Sequence, residues 1–474
     1  MSNSKPPGDS AATAGPAVRR RASWLATLGP RFLPFADAAS EDLPLSRLLR
    51  LSLFQVSVGM ALTLLVGTLN RVMIIEMGVP AALVAIMVAL PILFAPLRAL
   101  IGFRSDHHRS ELGWRRVPYV WMGTLLQFGG LCVMPFALLV LARAGASASV
   151  PPWVGHGAAA IAFLLVGAGM HTVQTAGLAL ATDLAPSKDH PKVVGFMYTM
   201  LLVGTIGSAV IFGEFLSEYT PGRLIQVIQA TAVATVVLNV LAIWKQESRS
   251  RLRRPRPRQA DDPSFRQAWE ALRQRPQALR KLAAVGVGTL AFNMEDVLLE
   301  PYGGEWLGLG VGQTTWLTAT LALGGLIGFA WASRVLARGA EPWRMASAGA
   351  LVGLPAFVAV IACAPLQQPV LFVVGTFLIG LGGGLFGHGT LTSTMQMAPE
   401  GQAGLALGAW GAVQATAAGL AIGAGGILRD LVASRWGSLA GYEAVYLLEL
   451  MLLVVTLALM VPMLRRPGAP AATP

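Results

Sequence analysis

The sequence predicts an all-α polytopic membrane protein in which twelve transmembrane helices form two pseudo-symmetric six-helix halves. Composition is the first reason: 54% of the 474 residues are hydrophobic and 13% are charged, against about 25% charged in soluble domains. The second is a count of apolar runs, each near the ~20 residues needed to cross a bilayer. They fall near 48–69, 80–103, 117–142, 154–181, 193–216, 222–244, 278–299, 313–333, 345–364, 369–396, 403–428 and 439–463. The third is internal repetition across the middle of the chain.

Taken in order, the chain opens on an N-terminal segment, 1–46, with a basic run at Arg19-Arg20-Arg21. The stretch after it is too short and too interrupted by Pro30, Arg31 and Pro34 to be the apolar core of a cleavable signal peptide. Trp24, Leu25, Leu28, Phe32 and Phe35 are expected to form a membrane-surface helix. A first half follows over 47–245. Residues 246–276, rich in Arg and Pro, read as a flexible basic linker whose end, from Phe265, runs as an amphipathic surface helix into the seventh span. The second half covers 277–464, and 465–474 form a tail.

The net charge of +12 could suggest nucleic acid, but the positions of the charges argue otherwise. Of 36 Lys and Arg, 30 lie in the N-terminal segment, the tail and the loops after even-numbered spans. Arg143, Arg223, Arg429 and Arg435 lie on the other side, and Arg71 and Arg98 within spans. The positive-inside rule then places both termini in the cytoplasm, with the basic side against anionic lipid headgroups. Cys132 and Cys363 have no pairing or metal spacing and read as small buried hydrophobes. No phosphate-binding glycine loop, HExxH or nucleophile elbow is present, so enzyme chemistry is not expected.

The halves are related. Leu100-Ile-Gly-Phe103 ends the second span and Leu326-Ile-Gly-Phe329 the eighth, while Arg71-Val-Met-Ile-Ile-Glu76 is echoed by Asp296-Val-Leu-Leu-Glu300. Residues 165–186 and 378–399 align without a gap, from Leu-(Val/Ile)-Gly-x-Gly to Ala-Pro. Two parallel six-span repeats are the major-facilitator plan, with the substrate site between the halves. After the second span, Gly102, Asp106, Gly113, Arg115 and Arg116 resemble the loop motif of that plan, in which an aspartate faces a helix N-terminus and arginines reach lipid phosphates. The Gly113 portion is displaced from the usual spacing.

His171 and His388 fall in the last two repeats, on the fourth and tenth spans, 17 and 19 residues from the span starts. At ~1.5 Å per residue that is roughly mid-membrane. An ionisable group at that depth is a functional candidate. A neutral imidazole there can relay a proton, donate a hydrogen bond or ligate a metallotetrapyrrole. The alternative, a histidine simply bonded to a neighbouring carbonyl, stays open. Gln174 and Thr175 add polar groups within a turn of His171, and Gly387 and Gly389 leave room for a flat ring beside His388. Arg71 on the first span and Glu295, Asp296 and Glu300 on the seventh are expected to form a charge pair between the halves, toward the periplasmic end.

Several strings carry a resemblance to a known family: Leu51-Ser-Leu-Phe-Gln-Val-Ser-Val-Gly59, Gly67-Thr-Leu-Asn-Arg-Val-Met73, the Gly102 to Tyr119 loop, Gln174-Thr-Ala-Gly-Leu-Ala-Leu-Ala181 and Leu299-Glu-Pro-Tyr-Gly-Gly304. They resemble the PucC/LhaA group, the bacteriochlorophyll-delivery branch of the major facilitators, over roughly 31–466. The resemblance implies an inner-membrane assembly factor, in the cytoplasmic or intracytoplasmic photosynthetic membrane. It would bind bacteriochlorophyll, stably or in transit, and pass it to light-harvesting antenna polypeptides. Pigment-synthesis or core-complex assembly proteins are further implied partners. Two other readings compete: a proton-coupled or facilitative transporter of a small apolar substrate, and a scaffold that transports nothing.

Overall fold

The computed structural model describes residues 43–93, 101, 105, 114–143, 145–186, 190–247, 274, 277–396 and 403–464. The expected N-terminal surface helix, the tail, most of the linker, and Gly102, Asp106 and Gly113 of the loop motif lie outside them.

Helices occupy all twelve expected positions: α1 (Leu45–Glu76), α2 (Ala81–Leu93), α3 (Val117–Leu141), α4 (Pro152–Leu184), α5 (His190–Phe215) and α6 (Pro221–Ile243) in the first half. The second holds α7 in two pieces (Ala278–Ala291 and Leu299–Leu307), α8 (Val311–Ala337), α9 (Pro342–Cys363), α10 (Pro369–Gln396), α11 (Ala403–Trp436) and α12 (Ser438–Leu464). Ten are long and apolar enough to cross a membrane, and the bent α7 makes an eleventh. The described part of α2 is a shorter apolar helix. The protein is a multi-pass membrane protein.

Packing repeats at a shift of six helices. The pairs α3–α4, α3–α6, α1–α5, α1–α6 and α2–α4 have counterparts in α9–α10, α9–α12, α7–α11, α7–α12 and α8–α10. The halves meet through α2–α11 and α5–α8 at the flanks and α1 against α7 and α8 in the middle. Of the α1 window, 83% is buried, against at most 50% in the other spans, so α1 is the central helix. The contacts between halves described below gather at the ends away from the chain termini, here termed the distal face.

At the opposite, terminal face the first half is tied together by polar groups. Arg47 at the start of α1 donates to Gln246 Oε1 (2.9 Å) and to its carbonyl (2.7 Å). The Glu247 carboxylate accepts the N–H groups of Arg115, Arg116 and Val117 at 2.7–3.1 Å. A carboxylate there satisfies otherwise orphaned donors and complements the helix dipole at the start of α3. Both residues stand at the expected start of the linker and are held against the first half.

Candidate functional site

The distal seam is built on irregular backbone in α1 and α7. In α1, π-helical turns at Thr63–Thr68 and Val72–Glu76 flank Leu69–Arg71. Such turns cluster at functional positions. In α7 the helix stops at Ala291 and resumes at Leu299, with a bend of 45°. Pro301 explains the restart: it has no N–H to give the Val297 carbonyl four residues back, and its ring would clash with that carbonyl. Asn293 adds to the break by donating to its own Thr289 carbonyl at 2.8 Å. The freed Val297 carbonyl accepts from Asn70 Nδ2 of α1 at 3.1 Å, and the Asp296 carbonyl lies at 3.4 Å from the same nitrogen.

Of the expected charge pair between the halves, the Arg71 charge acts on Glu300 of α7, but the direct ion pair of Arg71 lies elsewhere. Arg71 is buried, and its carboxylate partner is Glu76 of its own helix at 2.5 Å. The physical reason is the second π turn: a five-residue repeat stacks Glu76 over Arg71, which an α-helical turn would hold well apart. Arg71 still crosses the seam, donating from Nη2 to the Leu309 carbonyl at 3.1 Å, while its guanidinium lies flat on Gly304 of α7. Glu76 also reaches the α5–α6 loop. The half-buried Tyr219 phenol is held above its ordinary value by burial first and the Glu76 charge second, with Arg71 opposing.

The α7 acids make their hydrogen bonds with other groups. Glu300 accepts from the Thr318 hydroxyl of α8. Glu295, 1% exposed, gives its backbone N–H to Glu449 Oε1 of α12 at 2.8 Å. Asp296 contributes its carbonyl to the seam. Glu449, 0% exposed, is not among the residues singled out from the sequence, although an acid in the middle of the twelfth apolar run, six residues beyond Glu443, carries the same signal as the two histidines. Glu76→Ala is expected to cost about 3 kcal/mol, because it leaves the buried Arg71 charge without its carboxylate, whereas the pair lost in Arg71→Ala is worth about 1 kcal/mol, since the Glu76 left behind is 36% exposed. A double-mutant cycle on unfolding midpoints should couple Arg71 to Glu76 and not to Glu295. Coupling to Glu295 alone would overturn the assignment.

The two histidines sit in different halves, on helices with different partners: α4 packs on α3, α2 and α1, and α10 on α8 and α9. Both are partly buried. The Thr175 hydroxyl donates to the His171 carbonyl at 2.7 Å, and Gln174 Nε2 lies 3.4 Å from Gln55 Oε1 on α1. His388 meets Phe329 of α8 edge-on, ring centroids 4.3 Å apart. Of its two flanking glycines, Gly387 faces open space, while Gly389 is pressed against the α9 backbone at Pro342 and Ala346. The room expected on both sides of the ring therefore exists on one.

Within the loop motif, Arg115 and Arg116 both pair with Asp183 at the end of α4, and Arg116 also donates to Ser105 at 2.5 Å. They bind protein carboxylate, and Arg116 is buried rather than reaching out to lipid phosphates.

The family model for PUCC protein matches residues 68–468. Protein PucC of Rhodovulum sulfidophilum is 60% identical over 426 residues, covering 90% of this chain and 94% of that protein. A Rhodobacter capsulatus protein named bacteriochlorophyll synthase 44.5 kDa chain is 28% identical over 395 residues, 80% of this chain and 86% of its own length. The crystal structure of a bacterial homologue of the iron transporter ferroportin, in its inward-facing state, matches with a TM-score of 0.65 over 89% of this chain and 99% of that one. At 14% identity that likeness concerns the fold alone, and the fold is the major-facilitator plan. With most of its length matched by the family model and nine-tenths of it aligned to a relative at 60% identity, the chain belongs to the PUCC protein family.

Proposed function

We propose that this protein is a carrier rather than an enzyme: an assembly factor that binds bacteriochlorophyll within the membrane and hands it to light-harvesting antenna polypeptides. It acts in the bacterial inner membrane with both termini, and hence the terminal face, in the cytoplasm. The observation that carries this reading is His388, an imidazole at membrane depth with an aromatic edge on one side and open space beside Gly387 on the other. A magnesium tetrapyrrole needs one axial ligand and apolar walls, and His388 with Phe329 fits that need. His171, beside Gln174 and Thr175 in the other half, is the second candidate ligand. The pigment supplies the ligated magnesium and the absorbance; the chain supplies the imidazole, the apolar wall and exclusion of water. The name of one relative, a bacteriochlorophyll synthase chain, supports bacteriochlorophyll as the pigment.

The test is an absorption spectrum of protein purified from a pigment-producing phototrophic host. A near-infrared band at about one pigment per chain is expected, reduced at least several-fold in His388→Ala or His171→Ala and lost in the double variant, at unchanged protein yield. Full retention in the double variant removes the ligand role. The buried acids Glu295 and Glu449 support one competing reading, proton-coupled transport of an apolar solute. Uptake that collapses with the proton gradient in a colourless protein would establish it instead.

A further inference from the structure

The break in α7 also reaches outward within its own half. Glu295 lies in the short turn Glu295–Val297 between the two pieces of α7. Glu449 stands near the middle of α12, which packs on α7, α9 and α11. The Glu295 N–H donates to Glu449 Oε1 at 2.8 Å, and the two carboxyl groups hydrogen-bond each other as well. The residues are 1% and 0% exposed. Two carboxyls bond to each other only when one of them carries a proton, because ionised carboxylates are acceptors alone.

No cation neutralises the pair. Among the described residues no N–H or hydroxyl reaches Oε2 of either carboxyl. Tyr446, one turn before Glu449 on the same face of α12, is 0% exposed, and its hydroxyl bonds to none of the described residues. The further charge acting on Glu449 is that of Asp296, again acidic. Of the other helices packed there, α2 has no charged residue in its described length, and Arg344 and Cys363 stand at opposite ends of α9. On α11, Arg429 pairs with Asp430 and with Glu305, and it meets Tyr442 two turns from Glu449 toward the distal face. From α1, Arg71 is engaged by Glu76 and acts on Glu300, while Asn70 turns its amide to the Asp296 and Val297 carbonyls. Arg280 and Lys281 lie at the opposite, terminal end of α7. Two like charges in contact and away from water do not both persist, and a proton kept between them belongs to the pair rather than to either residue.

We propose that Glu295 and Glu449 form a proton-binding site, a buried carboxyl pair sharing one proton, which fastens the broken α7 to α12 while the proton is held. Loss of that proton leaves two carboxylates in contact and drives the α7 turn away from α12. The site does not depend on what the protein carries.

The experiment follows reversible unfolding of the full-length protein in detergent across neutral pH, in wild type and in the double variant Glu295→Gln with Glu449→Gln. Above the ordinary glutamate value of about 4.3, exposed carboxyls are ionised in folded and unfolded protein alike. The pair then adds one proton to the folded state and none to the unfolded state. Stability falls as pH rises wherever the folded state binds more protons. The folded-to-unfolded ratio of the wild type should therefore fall about tenfold per pH unit more steeply than that of the double variant. Parallel profiles mean that no proton is held, and a difference of about a hundredfold per unit means that each carboxyl keeps its own; either overturns the site. Should the double variant not fold, infrared spectra count protonated glutamates directly in Glu300→Gln protein carrying isotope-labelled glutamate. One per chain supports the shared proton, and none or two overturns it.

Discussion

Gly380→Ala is expected to destabilise the protein by about 1–3 kcal/mol, the usual cost of overpacking, whereas Gly207→Ala should stabilise it by up to about 1 kcal/mol through helix propensity. The same methyl group meets opposite surroundings. At Gly380 on α10 it would lie 2.0 Å from the Leu321 carbonyl oxygen of α8, a contact with rigid backbone that forces the helices apart. Gly324 of α8 answers it from the other side, 2.1 Å from the Phe377 carbonyl oxygen. At Gly207, on an exposed face of α5, the methyl meets nothing within 4 Å. Unfolding midpoints of the two purified variants in detergent would decide the matter. Equal effects would mean that close approach of α8 and α10 is not what glycine serves there. The glycines of the tenth span therefore serve chiefly helix contact, with open space at Gly387.

The number of spans and the two-half plan were legible because both rest on long, averaged signals: apolar length and repeats hundreds of residues apart. Helix irregularity rests on single residues and was read less well. The first span was expected to end near 69 and runs to Glu76. The seventh was expected to end near 299 and resumes there to reach Leu307. Pro301 was visible in the sequence and sufficient to break the helix, but hydropathy averaging passes over it. In α1 no comparable residue announces the π turns.

The same distinction governs the site. The sequence pattern brought Arg71 and the α7 acids to one level of the membrane, and all of them are at the seam. It could not say that Arg71 would face Glu76, because that choice depends on a π turn with i→i+5 hydrogen bonds where the i→i+4 pattern of an α-helix was assumed. Glu449 was legible by the rule that found His171 and His388 and was passed over.

Asn70→Leu should be among the most damaging single substitutions in the first half, costing about 3 kcal/mol. Asn70 is 0% exposed, and its amide is what satisfies the carbonyls released at the α7 break. Leucine fills the space but leaves those acceptors bare, at about 1–3 kcal/mol for each unsatisfied buried group, and no water replaces the bond at bilayer depth. The origin of the free carbonyl at Val297 supplies the control. Pro301→Ala restores an N–H four residues beyond Val297 and removes the ring that excludes it, so the carbonyl can be taken back into the helix. The double variant should then be less destabilised than the sum of the two single ones, with a coupling of about 1 kcal/mol or more in a double-mutant cycle. Strict additivity would mean that the break is set by something other than Pro301, leaving Asn70 as a packing residue only.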